Sequence, residues 1–219
     1  MVYNEVRTIK KAIQDVVDIN YKKKEIIVID NGSTDGSQDI IKKFKNIKKV
    51  LRKKNLGAGM TVADGIKKAK GDYIYIQFSD LEYDHFKSLD MLSYAKKNNL
   101  DIVLGSRLKN KDIWKELLKK KSYLATIFTT FIINKFYNKK FTDIIGSKLY
   151  KTAAVRKIPI NSYGAGFDWE FISRACKRNL KIGEISIKYK PRLNQNEKKI
   201  RIYNIFNAIY ELIKVKIFK

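Results

Sequence analysis

The residues best suited to chemistry fall in two acidic turns. In the first, Asp30-Asn31-Gly32-Ser33-Thr34-Asp35-Gly36, a carboxylate ends an apolar run and small hydrogen-bonding residues follow, a pattern that suits recognition of a nucleotide base or ribose. Taken alone, it equally describes a strand-to-helix turn in which Ser33, Thr34 or Asp35 caps the next helix. The second turn, Phe78-Ser79-Asp80-Leu81-Glu82, offers two oxygen ligands, Asp80 and Glu82, to a hard divalent cation. Mg2+ or Mn2+ held there would bridge a diphosphate and stabilise it as a leaving group. Without the apolar run before them, Asp80, Glu82 and Asp84 would read as a solvated acidic loop, and His85, the sole histidine, reads as a turn residue rather than a base.

These turns lie in an alternating pattern of elements. Val6, Ile9, Ile13, Val16 and Val17 recur at helical spacing after Asn4, so the chain opens on an amphipathic helix. Glu25-Ile26-Ile27-Val28-Ile29-Asp30 is short, apolar and β-branched, as a strand buried on both faces would be. Helix Ser37 to Phe44, strand Lys49-Val50-Leu51, helix Met60 to Ala69, strand Tyr73 to Phe78, helix Phe86 to Lys97 and strand Ile102 to Leu104 continue the alternation. The expected fold class is α/β with a mostly parallel central sheet. Ligands bind such sheets at the carboxyl ends of strands, so the loops after Ile29, Phe78 and Leu104 should converge on one crevice. Later, Ser147 to Tyr150 and Lys181 to Tyr189 read as strands and Gly166 to Arg178 as a helix.

Length and charge bound the rest. The 219 residues suit a single domain, 1–219. A net charge of +25 favours an anionic partner, although Lys22-Lys23-Lys24 and Lys119-Lys120-Lys121 also read as solvated surface. No nucleic-acid module with interleaved aromatics is present, so nucleic acid is not an expected partner. Cys176 is the only cysteine, which excludes a disulfide framework and fits a reducing, cytoplasmic setting. The longest apolar run, Leu124 to Ile133, is too short to span a bilayer. Two lysine-rimmed apolar segments, 111–140 and the amphipathic helix 198–219, instead suit the interface of an anionic membrane, with packing on the sheet as the competing reading for the second.

In order along the chain, Tyr3-Asn4-Glu5, Ile26 to Gly36, Asn55-Leu56-Gly57-Ala58-Gly59, Gly71-Asp72 and Asp80-Leu81-Glu82-Tyr83-Asp84 are followed by Gly105-Ser106-Arg107, Thr142-Asp143 and Tyr189-Lys190-Pro191-Arg192. This succession resembles family 2 of the inverting glycosyltransferases, and within it the polyprenyl-phosphate sugar transferases of the dolichol-phosphate mannose synthase type. The resemblance implies a three-layer GT-A fold and a donor site formed by Tyr3, Asn4, Glu5, Asp30, Ser33, Gly57 and Asp80. It implies Asp80 and Glu82 on the metal, and Arg107 and Arg192 on the phosphates of acceptor and donor; Asp80, Arg107 and Arg192 are the expected catalytic residues. The implied reaction moves a hexose from a nucleotide-sugar of the GDP-mannose or UDP-glucose type to dolichyl or undecaprenyl phosphate. The protein would sit peripherally on the cytoplasmic face of a membrane, with a membrane-anchoring partner. A polyprenyl phosphate is already an anion near neutral pH, so the reaction needs charge neutralisation more than a strong base.

Two departures from that family pattern carry expectations of their own. Phe78 stands where the family's metal motif has a carboxylate, so weakened metal binding or turnover is expected. No apolar strand precedes Met1-Val2-Tyr3, so the first strand of the sheet is expected to be missing and the true start to lie upstream. Two rival functions follow: transfer to a glycan hydroxyl, with Asp143 or Asp168 as base, and a non-catalytic homologue that only binds nucleotide-sugar.

Overall fold

The computed structural model describes residues 1–109, 121–164, 166–191, 210 and 212–217. Helix α1 (Ile9–Val17) leads to strand β1 (Ile27–Asp30), helix α2 (Ser37–Lys43), strand β2 (Lys48–Leu51), helix α3 (Ala58–Lys68) and strand β3 (Tyr73–Ile76). Helix α4 (Lys87–Lys97), strand β4 (Ile102–Ser106) and helix α5 (Lys121–Tyr137) follow. Strand β5 (Ser147–Lys151), the short helix α6 (Thr152–Val155), helix α7 (Phe167–Lys177) and strand β6 (Ile182–Ser186) complete this order, and residues 212–217 are again helical. Arg192 and much of both basic segments, 111–120 and 198–209, lie outside the described residues.

The strands form two sheets. β1 and β2 pair in parallel, and the second sheet has the order β3-β5-β4-β6. β4 and β6 are parallel, whereas β5 runs antiparallel to both β3 and β4. Among the described strands β5 alone is reversed, and nothing in Ser147-Lys148-Leu149-Tyr150 signals its direction.

Met1 and Val2 join the two sheets. The Val2 N–H donates to the Ile29 carbonyl at 2.9 Å, and the Asn31 N–H donates to the Val2 carbonyl at 2.9 Å. On the other side the Met1 ammonium donates to the Gln77 carbonyl at 2.8 Å, and the Ser79 N–H donates to the Met1 carbonyl at 3.2 Å. Each side has the slanted pattern of a parallel ladder. As expected, no strand precedes α1 among the described residues; Met1 and Val2 supply only these hydrogen bonds, with Val2 and Asp30 forming an isolated parallel bridge.

Side chains alternate between the two helical layers, as strand geometry requires. Ile102, Leu104 and Tyr150 point toward α3, α5 and α7, meeting Val62, Ile66, Ile133 and Ile172. Val103 and Leu149 point the other way, onto Met91 and Ala95 of α4, while Val28 meets Ile9, Ile13 and Ile41 of α1 and α2. The ring centroids of Tyr150 and Phe171 lie 4.8 Å apart, both side chains being fully buried. Replacing Phe171 by Ala removes that ring contact and leaves a cavity under the sheet. Denaturant unfolding is expected to show a loss of about 3–5 kcal/mol, against a near-zero change for Phe86→Ala, whose ring is exposed.

Candidate active site

The first acidic turn is organised by its own aspartate. Asp30, fully buried at the end of β1, accepts hydrogen bonds from the Gly32 N–H (3.1 Å), the Ser33 N–H (2.9 Å) and Gln38 Nε2 (2.7 Å) on Oδ1, and from the Ser33 hydroxyl (2.5 Å) on Oδ2. These bonds fold the chain back sharply, and Gly32 takes φ +82° at a point where a Cβ would stand 2.4 Å from the Lys54 carbonyl carbon. Asn31 ties this turn to the next loop. Its Oδ1 accepts from Arg52 Nη1 (2.8 Å) and the Leu56 N–H (3.0 Å), and its Nδ2 donates to Asn55 Oδ1 (2.7 Å).

Tyr3-Asn4-Glu5 lies along the same turn. The Asn4 N–H donates to Ser33 Oγ (2.9 Å), the Thr34 N–H to Asn4 Oδ1 (2.9 Å) and the Glu5 N–H to Ser37 Oγ (2.9 Å). Gly57, at φ +85°, leaves room for the 160–164 loop: a Cβ there would stand 1.9 Å from the Tyr163 carbonyl oxygen. The structure thus places Tyr3, Asn4, Glu5, Asp30, Ser33 and Gly57 on one continuous rim.

Met1 connects this rim to the second turn. Burial pulls its amino group down to about 6, opposed by Asp80 and Asp30, the carboxylates whose charge it feels most. Asp80 is half-buried, and Leu81 beside it adopts φ +58°, a left-handed conformation that costs a branched residue on the order of 1–2 kcal/mol. The turn is held by the Lys190 N–H, which donates to the Glu82 carbonyl at 2.9 Å, and by the antiparallel bridge between Tyr83 and Tyr189. Glu82 is buried and its Oε2 accepts from the Tyr189 hydroxyl at 2.7 Å. Phe78 is partly buried and packs against the main core, so a carboxylate at that position would sit beside apolar surroundings.

Among the described residues no three His, Cys, Asp or Glu side chains cluster as a metal site. Asp80 Oδ1 accepts from the Glu82 N–H at 3.3 Å, while the Glu82 carboxylate accepts from Tyr189; a cation held by one or two carboxylates would take its remaining ligands from substrate phosphates and water.

Arg107 occupies a cage behind Glu82. Its Nε and Nη2 donate to the two oxygens of Asp143 at 2.7 and 3.0 Å, and its guanidinium stacks 5.0 Å from the Tyr123 ring and 5.4 Å from the Tyr189 ring. Asp143 also accepts from the N–H groups of Arg107, Ile145 and Gly146. Burial alone would push the Asp143 carboxyl up; the Arg107 guanidinium, its hydrogen bonds and the backbone N–H groups of Arg107 and Ile145 together hold the group below its ordinary range. The other candidate base, Asp168, is buried 2.7 Å from Lys148 Nζ; burial raises its pKa despite that ammonium. Sequence reasoning took Arg107 and Asp143 separately and missed their pairing, along with Tyr123. Tyr189 and Asp143 lay in quoted motifs, but no local signal marks Tyr123, because only tertiary packing brings α5 over Arg107. Arg192 lies outside the described residues.

Comparison with known proteins places this geometry. The model of the glycosyl transferase family 2 domain matches residues 1–159. Among curated proteins, the chain is 34% identical over 104 residues to a cholesterol galactosyltransferase of Borreliella burgdorferi, a stretch covering 46% of this chain and 29% of that protein. It is 34% identical over 114 residues to a poly-beta-1,6-N-acetyl-D-glucosamine synthase of Staphylococcus epidermidis, covering 50% of this chain and 28% of the relative. The aligned stretches thus span under a third of either relative. Among solved structures, glucosyl-3-phosphoglycerate synthase from Mycobacterium tuberculosis, in complex with Mn2+, UDP and phosphoglyceric acid, superposes with a TM-score of 0.73 at 16% identity, covering 98% of this chain and 76% of that one. The fold is therefore GT-A.

The caged ion pair provides a direct test. Asp143→Ala leaves a buried guanidinium without its partner and is expected to destabilise the protein by about 3–5 kcal/mol in denaturant melts. Because the folded pKa of Asp143 is depressed, its contribution is fully present above the ordinary carboxylate value of about 4 and is lost as pH falls through the lower folded value. The stability gap between wild type and Asp143→Asn should be constant from pH 7 to 5 and close in stronger acid; a gap that widens there contradicts the pairing.

Proposed function

The chain belongs to glycosyl transferase family 2, and from that premise we propose that it transfers a hexose from a nucleotide-diphosphate sugar to the phosphate of a polyprenyl lipid at a membrane surface. The nucleotide lies along the rim of Tyr3, Asn4, Glu5, Asp30, Ser33 and Gly57 in this reading. Asp80 faces the diphosphate through Mg2+ or Mn2+, and that cation supplies charge neutralisation to the departing nucleotide. Glu82 braces the turn through Tyr189. Arg107, with Nε and Nη2 committed to Asp143, presents a fixed positive charge behind the turn, and Arg192, outside the described residues, is its expected counterpart for phosphate. Solved structures of the same fold carry Mn2+ or Mg2+ with UDP, which supports a divalent cation here.

The observation that carries the lipid acceptor is the inverted helix α5. Its threonines Thr126, Thr129 and Thr130 face inward at 6%, 0% and 3% exposure, while Leu124, Phe128 and Phe131 face outward at 53%, 50% and 56%. An apolar stripe left outside is the reverse of ordinary globular packing. Leu212 and Val215 of the 212–217 helix are buried, with Lys216 donating to the Phe136 carbonyl, so this helix extends the same surface and adds exposed Ile213 and Ile217. Each such side chain entering lipid contributes about 1.5–3 kcal/mol and each adjacent lysine about 1 kcal/mol near anionic headgroups, enough for reversible attachment. No helix of the described residues is long and apolar enough to cross a membrane. The sterol named for one relative is likewise an apolar acceptor. Transfer to a glycan hydroxyl would call on Asp143 or Asp168 as base, and both are held in buried ion pairs.

The test is transfer itself. With UDP-glucose or GDP-mannose, Mn2+ and vesicles containing undecaprenyl phosphate, labelled sugar is expected in the lipid phase, and Asp80→Ala is expected to lower the rate by a factor on the order of 10²–10³. Phe128→Ser with Phe131→Ser should release the protein from anionic vesicles in flotation. Label found only on saccharide acceptors, or unchanged flotation of the double variant, contradicts the reading.

A further inference from the structure

Glu82 is gripped at three places. Its N–H donates to Asp80 Oδ1 at 3.3 Å, its carbonyl accepts from the Lys190 N–H at 2.9 Å, and its buried carboxylate accepts from the Tyr189 hydroxyl at 2.7 Å. The last two grips come from one segment, 189–190, which the antiparallel bridge between Tyr83 and Tyr189 aligns with the turn. Of the three, the hydroxyl-to-carboxylate bond is charge-assisted and therefore the strongest. Next to these grips stands Leu81, whose left-handed φ of +58° persists only where neighbouring contacts over-determine it. Once released, the turn relaxes, and Asp80, the residue before Leu81, moves with it.

Tyr189 is itself held from the other side. Its buried ring lies 5.4 Å from the Arg107 guanidinium, 5.2 Å from the Tyr83 ring and 6.2 Å from the Tyr123 ring. Arg107 in turn is fixed by Asp143. One side chain thus takes hold of the acidic turn with its hydroxyl and of the caged arginine with its ring. The two functions are chemically separable, because phenylalanine keeps the ring and loses only the hydroxyl.

We propose that Tyr189 is a positioning residue for the donor cation: its hydroxyl engages Glu82 as a brace, the brace holds Leu81 left-handed, and the held turn keeps Asp80 where it meets the cation. The role rests on the proposal above that Asp80 faces a divalent cation, and it changes the part expected of Glu82 from ligand to support. A ligand needs its negative charge. A brace needs only an oxygen that accepts a hydrogen bond, and glutamine retains one.

The experiment titrates the full chain with UDP and with GDP, each with and without Mn2+, by calorimetry, and follows amide hydrogen exchange of residues 82–84 in the metal-free protein. Tyr189→Phe is expected to cut the Mn2+-dependent tightening of the nucleotide about fivefold and to speed exchange of those amides several-fold. Glu82→Gln, whose amide oxygen still accepts from Tyr189, is expected to lose no more than about twofold of that tightening, whereas Asp80→Asn loses all of it. Glycine takes positive φ without strain, so Leu81→Gly is expected to return most of the tightening to Tyr189→Phe; a general packing defect would not respond to it. Equal losses in Glu82→Gln and Asp80→Asn make Glu82 a ligand and overturn the proposal. So does Tyr189→Phe with the tightening intact, or a Tyr189→Phe defect that Leu81→Gly leaves unrelieved. Wild type in which Mn2+ tightens neither nucleotide removes the crevice reading itself, and this role with it.

Discussion

The arrangement of the active crevice depends on two residues. Met1 and Val2 are the strand-type link between the β1–β2 sheet and the four-stranded sheet among the described residues, and they make it at the end of each sheet that carries chemistry. Val2 fixes the position of Asp30, and Met1 fixes that of Ser79, immediately before Asp80. Backbone hydrogen bonds are directional and short, so the two turns are set against each other far more rigidly than side-chain packing between separate sheets would manage.

Electrostatics shape the other half of the site. Among the described residues the interior holds three ion pairs, Arg107–Asp143, Lys148–Asp168 and Arg174–Glu170, each with both side chains largely out of water. Such pairs add little net stability over apolar replacements, yet breaking one exposes the full cost of an unmatched charge, so they fix geometry more than they stabilise it. Arg107 illustrates the use: held by Asp143 and two tyrosine rings, it cannot swing, and its charge stays behind the acidic turn. Charge outside is a different matter. In the proposed function, the net +25 and the outward-facing apolar residues of α5 serve a partner surface rather than the fold.

Much of this was legible in the sequence because it is local. β1 and β3 are short apolar runs that each give way to a polar turn; that is why Asp30 and Asp80 could be placed at the carboxyl ends of strands from the residues alone. The GT-A fold expected from the succession of motifs agrees with the family match and the structural comparison. What the sequence withheld depends on distant contacts. The reversal of β5, the seat of Tyr123 over Arg107 and the pairing of Arg107 with Asp143 all arise from segments that meet only after folding. Phe78, expected as a lost ligand, also packs, partly buried, against the main core. The first strand, expected to be absent, has no counterpart before α1 among the described residues beyond the isolated bridge of Val2 with Asp30.

The central claim is that the Asp30 rim and Asp80 form one crevice for a nucleotide diphosphate and its cation. Isothermal titration calorimetry of UDP and GDP, with and without Mn2+, tests it most directly. Binding of one nucleotide that strengthens at least about tenfold with Mn2+, equivalent to about 1.4 kcal/mol, and loses that gain in Asp80→Asn is the predicted result. Binding indifferent to Mn2+ and to Asp80→Asn, or no binding of either nucleotide, would contradict the account.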